Sequence, residues 1–326
     1  MATWCSSDVV LLDERCPLPL DQPFTARQAE RLGVPRGQLR RLLQRGLVRR
    51  VVQGVYAAAQ APHDLVFRAL ALHLVVSSSA VVTDRSAAWL HGVDLLPRNA
   101  RTCAVPVSVH QRPGTRCRRE AAEGGERMLL DSDVVEVHGL AVTSPVRTAL
   151  DLGRSLWRFD ALAALDQFLR LGVEQDELLV ELPRFKGYRG VIQLRALVAI
   201  ADGRAESVAE SALRLHWYDA GLPRPELQWW VHDDFGVPIY RLDLALPDAF
   251  FAAEYDGVEF HTDTEHDEGR RGWLDRRDWH IEVFVKDDVY RLHADPGPRL
   301  RSALAQARSS LVPPTTYPTT RTDRSA

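Results

Sequence analysis

Residues 24–59 read FTARQAERLGVPRGQLRRLLQRGLVRRVVQGVYAAA. Thr25 is a good N-cap, because its hydroxyl can accept a backbone N–H of the first helical turn. A short helix, TARQAERLG, follows and stops at Gly33. Val34-Pro35 opens a second helix, PRGQLRRLLQRG, since proline is preorganised for a first turn. Leu39, Leu42 and Leu43 share one face of it, while Arg36, Arg40, Arg41 and Arg45 fall largely on the other. Gly46 ends that helix. The stretch LVRRVVQGVYAAA then reads as a hairpin, with Gln53-Gly54 at the bend and Val51, Val52, Val55 and Tyr56 in the strands. Helix, turn, basic helix and hairpin is the order of a winged helix-turn-helix.

Between Phe24 and Gln60 stand eight arginines and a single acid, Glu30, whereas the region after Asp202 is acid-rich. The net charge of −3 therefore hides a basic end joined to something else, which points to a nucleic-acid-binding module. At 326 residues the chain is too long for one ordinary core, and two or three domains are expected. An apolar fraction of 45% with 26% charged residues is that of a globular protein, not a fibrous or disordered one. No apolar run approaches the length of a bilayer crossing, so no membrane partner is expected. The first residues lack a basic stretch followed by an apolar one, so no secretory signal is expected either. Cys5, Cys16, Cys103 and Cys117 show no CxxC spacing and no nearby histidine partner. They read as reduced thiols of a cytoplasmic protein, without zinc or disulfides.

Residues 1–20 carry proline and no clear period and read as a loosely ordered lead-in, with the winged module at 21–60. Residues 61–200 read as a middle α/β segment. Its helices are HDLVFRALALHLVVSSS, SAAWLHGVDLL, SPVRTALDLGRS, FDALAALDQFLRLG and GYRGVIQLRALVAIADG, and its strands RTCAVPVSVH and VVEVHGLAVTS. Residues 201–308 open with an amphipathic helix, ESVAESALRLHWYDAG, ended by Gly221. A strand pair (ELQWWVHDD and VPIYRLDLALPD), a third strand (FFAAEYDG), a charged helix (HDEGRRGWLDRRDW), a strand (HIEVFVKDD) and a last helix (PGPRLRSALAQAR) follow. That order is an α/β sandwich around a mixed sheet. The tail, residues 309–326, is rich in proline, threonine and serine and is expected to be disordered. The fold class is thus α/β (α+β), multidomain.

In RLDLALP, Leu242, Leu244 and Leu246 point to one side, and Arg241, Asp243 and Ala245 to the other. Glu254 and Asp256, two apart in AAEYDG, leave the same face of their strand. If those strands pair, three carboxylates converge at one sheet end and repel one another unless a cation binds. A hard divalent ion with oxygen ligands is the usual solution, and such a metal can activate water beside a scissile phosphate. Glu210 on the preceding helix, or Glu206 in its stead, completes the shell. His261 and His266 lie just past the strand, where either can move a proton.

The runs PELQWWVHDDFGVPIYRLDLALPD, EYDGVEFH, DEGRRGWL and the later DW resemble a family of bacterial domains related to the very-short-patch-repair endonucleases, within the PD-(D/E)xK nuclease superfamily. The resemblance covers about residues 205–290. It implies a restriction-endonuclease-like core. Glu210, Asp243 and Glu254 would then hold Mg2+, with Mn2+ as a substitute. Asp243, Glu254, Asp256 and His261 would form the catalytic set, with Arg270 beside them. Two positions depart from the pattern. The superfamily's lysine, two residues after the second acid, is Asp256 here, and the basic residue often found near Val283 is replaced by Glu282.

The opening stretch also resembles the N-terminal winged helix of the AbiEi-type antitoxins, and TDRSAAWLHGVDLLP and VTSPVRTALDLGR resemble that family's downstream domain. This second resemblance implies DNA binding, with the Arg36–Arg45 helix in the major groove and Arg49 and Arg50 of the wing on phosphate. Guanidinium forks suit phosphate and guanine edges, and neutralised phosphates supply salt-sensitive affinity. Two functions follow as expectations. One is a Mg2+-dependent DNA endonuclease targeted by its own winged helix. The other is a transcriptional regulator or antitoxin-like protein whose nuclease fold is idle, with DNA and a toxin or defence-system component as partners.

Overall fold

In the computed structural model, which describes residues 10–95, 107–111, 122–257, 264–291 and 293–311, Thr25 caps the first helix as its position predicts. Its hydroxyl accepts the Gln28 N–H at 3.2 Å, and the Gln28 side-chain oxygen takes the Thr25 N–H at 2.7 Å. This reciprocal box starts α1 (Ala26–Arg31) directly after β1 (Phe24–Thr25). Pro35 leads into α2 (Arg36–Gln44), which buries Leu39 and Leu42. Strands β2 (Val48–Val52) and β3 (Val55–Ala58) pair antiparallel around Gly54, whose φ of 83° is the left-handed turn that glycine adopts without strain. Strand β1 pairs with β3, Phe24 opposite Tyr56, giving the order β1-β3-β2. Two residues carry no period, so that pairing was invisible in the sequence.

A second sheet follows in the same unit, Met1–Ala201. Helix α3 (Leu65–His73) leads to β4 (Val81–Val82), α4 (Asp84–Leu90), β5 (Val107–His110), β6 (Ala122–Glu123), β7 (Val134–Val137) and β8 (Leu140–Thr143). The strand order is β6-β5-β4-β8-β7, with β4 parallel to β8 and β5 parallel to β6. Four helices close the unit: α5 (Pro145–Ser155), α6 (Arg158–Arg170), α7 (Gln175–Glu181) and α8 (Val191–Ile200). One apolar cluster runs from Leu12 and Phe24 through Val55, Leu72 and Trp89 to Val142. The lead-in expected to be loosely ordered therefore contributes Leu12, Cys16 and Leu18 to the core. The other three cysteines lie outside the described residues.

Helix α5 is buried from Arg147 to Gly153, and a Cβ on Gly153 would stand only 2.6 Å from Leu194 of α8. Charged groups inside such a helix need partners. Asp151 accepts from Arg147 at 2.7 Å, Arg127 at 3.1 Å and Arg154 at 3.0 Å. Asp133 pairs with Arg147 at 2.8 Å and Arg184 at 2.7 Å, and Asp84 with Arg127 at 2.9 Å. The arginines of VTSPVRTALDLGR thus hold this unit together from within.

The second unit, Asp202–Ala326, begins with α9 (Val208–Asp219), β9 (Glu226–His232), β10 (Pro238–Leu246) and β11 (Phe251–Asp256). It continues with α10 (Thr264–Asp275), β12 (His280–Val285), α11 (Lys286–Tyr290) and α12 (Gly297–Leu311). The sheet order is β12-β11-β10-β9, antiparallel except for the β11–β12 pair. Trp217 of α9, fully buried, stacks on Phe251 of β11 with ring centroids 5.4 Å apart. The final strand is shorter than expected. Asp288 accepts the Val285 N–H at 2.9 Å and turns KDD into the first turn of α11, because a carboxylate at a helix start satisfies an otherwise open donor. Among the described residues no helix is long and apolar enough to cross a membrane. The tail residues 312–326 lie outside the described part.

Candidate functional site

Leu39 and Leu42 pin one face of α2 to the core, and the other face presents Arg40 and Arg41, with Arg45 at the C-cap, all exposed. Arg36, also exposed, pairs with Glu30 at 3.2 Å. On β2 successive side chains point to opposite sides, which separates the two wing arginines. Arg50 is exposed, its guanidinium 5.9 Å from the Tyr56 ring centroid. Arg49 turns inward instead. It donates to the carbonyls of Ala61 at 3.2 Å and Pro62 at 2.9 Å, and lies 5.3 Å from the Phe67 ring centroid. Arg40, Arg41, Arg45 and Arg50 therefore lie on the exposed surface, whereas Arg49 is committed to the fold.

In the second unit the β-ladder sets the acids side by side. Leu244 pairs with Ala253 of β11 and with Leu227 of β9. One step along, Asp243 stands beside Glu254 on one side and Gln228 on the other. Asp243, Glu254 and Asp256 line a cavity of about 590 Å³ together with Arg241, Arg270 and Arg299. Glu210, in the first turn of α9, reaches toward this row. Its carboxylate accepts the Glu206 N–H at 2.9 Å and the Gln228 side-chain amide at 2.8 Å. Glu206 does not join them, because Arg241 holds it in a two-pronged pair at 2.7 and 3.0 Å.

Burial, with the charges of Glu210 and Glu254 added, pushes the Asp243 carboxyl up to about 7, against the Tyr255 N–H that it accepts at 3.0 Å. Burial likewise raises Glu254, against the lowering influence of Arg270, which bonds it directly. Glu254 is only 8% exposed, so an unpaired charge there would be costly. A positive charge reaches the Val283 position from another element. Arg299 of α12 donates to the Val283 carbonyl at 2.8 Å and to Glu282 at 2.7 Å.

The donor chemistry, carboxylates alone, is that of a hard cation such as Mg2+ or Mn2+. The spacing is not. Among the described residues no three histidine, cysteine, aspartate or glutamate side chains are grouped so as to hold a metal ion. Glu254 is bonded to Arg270, and Glu210 to Gln228 and the Glu206 N–H. In this arrangement the residues implied as metal ligands do not fit a divalent ion. His261 and the side chain of His266 lie outside the described part of the structure.

Gln228 is the residue that sequence reasoning missed. It adopts a left-handed φ of 54°, which is rare for a residue with a side chain. The string ELQWWVH gives no sign of this; the break shows only in the structure, where Trp229 and Trp230 are both exposed although a regular strand would hide one.

Comparison with known proteins places both ends of the first unit. Residues 21–59 match a family model described as transcriptional regulator, AbiEi antitoxin, and residues 79–200 one described as AbiEi antitoxin C-terminal domain. An uncharacterized protein of Mycobacterium tuberculosis, found in two strains, is 38% identical over 274 residues, which span 80% of this chain and 92% of the relative.

Proposed function

This chain belongs to the family of that mycobacterial protein, with AbiEi antitoxin domains along its first unit, and from that premise we propose that it is a DNA-binding regulator of the antitoxin type. The observation that carries the reading is the exposed guanidinium face of α2 within residues 21–59. Arg40 and Arg41 lie on one short helix, capped by Arg45, whose other face is buried, and β1-β3-β2 braces it as the wing of a winged helix-turn-helix would. Such a helix can enter a major groove, while Arg50 reaches phosphate. A toxin is the second partner class, taken from the family description alone.

The C-terminal unit enters this reading as an endonuclease-like fold without cleavage. Its acidic row has the right residue types, but Glu254 is bonded to Arg270 and Asp256 stands where the superfamily has lysine.

The test is fluorescence anisotropy of the full chain with a labelled duplex across a range of salt concentrations, beside the double variant Arg40→Ala, Arg41→Ala. Each lost phosphate contact should flatten the slope of log K against log salt by about 0.9. An unchanged slope places the DNA surface elsewhere. Metal-dependent nicking of supercoiled plasmid that Asp243→Asn removes would replace the idle-fold half of the reading.

A further inference from the structure

We propose that Arg270 is the resident cation of the acidic cleft, its guanidinium taking the place at Glu254 that a divalent ion would need, so that the two exclude each other. This goes beyond the DNA-binding reading, because it concerns the unit which that reading leaves without a task.

Glu254 is buried next to Asp243 on the neighbouring strand, so its charged form needs a positive partner inside the cleft. Arg270 comes from α10 and is held by several contacts. It donates to the Glu254 carboxylate and, at 3.3 Å, to the Arg241 carbonyl. Its guanidinium lies 5.6 Å from the Tyr240 ring centroid. Tyr240 in turn rests edge-on against Trp273 of the same helix, with centroids 5.3 Å apart. The guanidinium is therefore seated by packing as well as by charge. Of the other arginines that line the cleft, Arg241 is committed to Glu206 and Arg299 to Glu282, while the exposed Arg271 adds a longer-range attraction to Glu254. A divalent ion bridging Asp243 and Glu254 would face Arg270 across the same carboxylate, and like charges at that range in a half-buried site repel strongly.

The exclusion is read by Mn2+ titration of the full-length protein, with free Mn2+ followed by electron paramagnetic resonance. Wild type, Arg270→Gln and Arg270→Lys are compared, each with and without Asp243→Asn. Arg270→Gln should bind Mn2+ at least tenfold more tightly than wild type. Arg270→Lys, which keeps the charge, should behave as wild type, and adding Asp243→Asn should remove the gained site. Stoichiometric Mn2+ binding by wild type that Asp243→Asn abolishes overturns the proposal and revives the cleavage reading. An Arg270→Gln protein that folds and gains nothing overturns the proposal alone. Should that variant not fold, wild type and Arg270→Lys still decide. Neither should bind at the cleft, and binding by either that depends on Asp243 sinks the idea.

Discussion

Gln228 donates its side-chain amide to Glu210 across 2.8 Å from a backbone held in the left-handed region, φ 54°. The two facts belong together. A regular strand would send this side chain to the face opposite its two chain neighbours; the left-handed backbone breaks that alternation, and the amide meets Glu210 of α9. Left-handed backbone costs a residue with a Cβ about 1 kcal/mol or more, and such strain persists only where the surroundings hold it.

Replacing Gln228 should therefore invert an ordinary ranking. In a strand interior alanine normally outlasts glycine. Here Gln228→Gly relieves the backbone, whereas Gln228→Ala keeps the strain and loses the hydrogen bond. Urea unfolding should find the glycine variant about 1 kcal/mol more stable than the alanine variant. The reverse order would mean that the backbone at 228 is an ordinary strand.

Asp243 carries a pH signature. Its carboxyl is raised from 3.8 to about 7 by burial and by Glu210 and Glu254, so the folded state holds the proton longer than the unfolded chain. The stability from this group is complete below about pH 4, is lost as pH rises, and is gone above about pH 7. Asp243→Asn lacks that dependence. Relative to the variant, wild type should weaken by up to about 4 kcal/mol between pH 4 and pH 8, an upper bound because the cleft opens to water. Equal differences at both ends of the range would show that the carboxyl titrates normally.

Asp151 should be among the costliest positions in the first unit. It is 1% exposed and accepts from three guanidiniums, those of Arg127, Arg147 and Arg154. Asp151→Ala leaves these cations short of a counter-charge inside the protein, a defect of about 3–5 kcal/mol. Chemical denaturation gives the number. A loss below about 1 kcal/mol would mean that water reaches the cluster.

Arg49 and Arg50 should part company. Arg49→Ala removes two carbonyl contacts and the Phe67 stack, a stability loss of about 1–3 kcal/mol, with the DNA salt slope unchanged. Arg50→Ala should do the opposite, leaving the melting temperature within a degree or two and flattening the slope. Similar effects from both variants would deny the inward turn of Arg49.

The sequence by itself determined the elements whose causes are local. Thr25 and Gln28 cap α1 within three residues of each other, the leucines of α2 choose its buried face, and Gly54 turns the hairpin. Glu254 and Asp256 were legible as a pair because strand alternation needs only near neighbours, whereas Asp243 joins them through the pairing of β10 with β11. What only the tertiary structure decided is which charges meet. Arg49 and Arg50 are adjacent in the chain and identical in chemistry, yet one lies under the Ala61–Pro62 backbone and the other faces water. Arg270 and Arg299 reach Glu254 and Glu282 from other elements, 16 and 17 residues away in the chain. Gln228 became part of the site through a backbone angle that no residue type announces. Local structure follows from short-range sterics and hydrogen bonds, which a string of residues encodes directly. Ion pairing depends on distances between elements, which exist only after the core has packed.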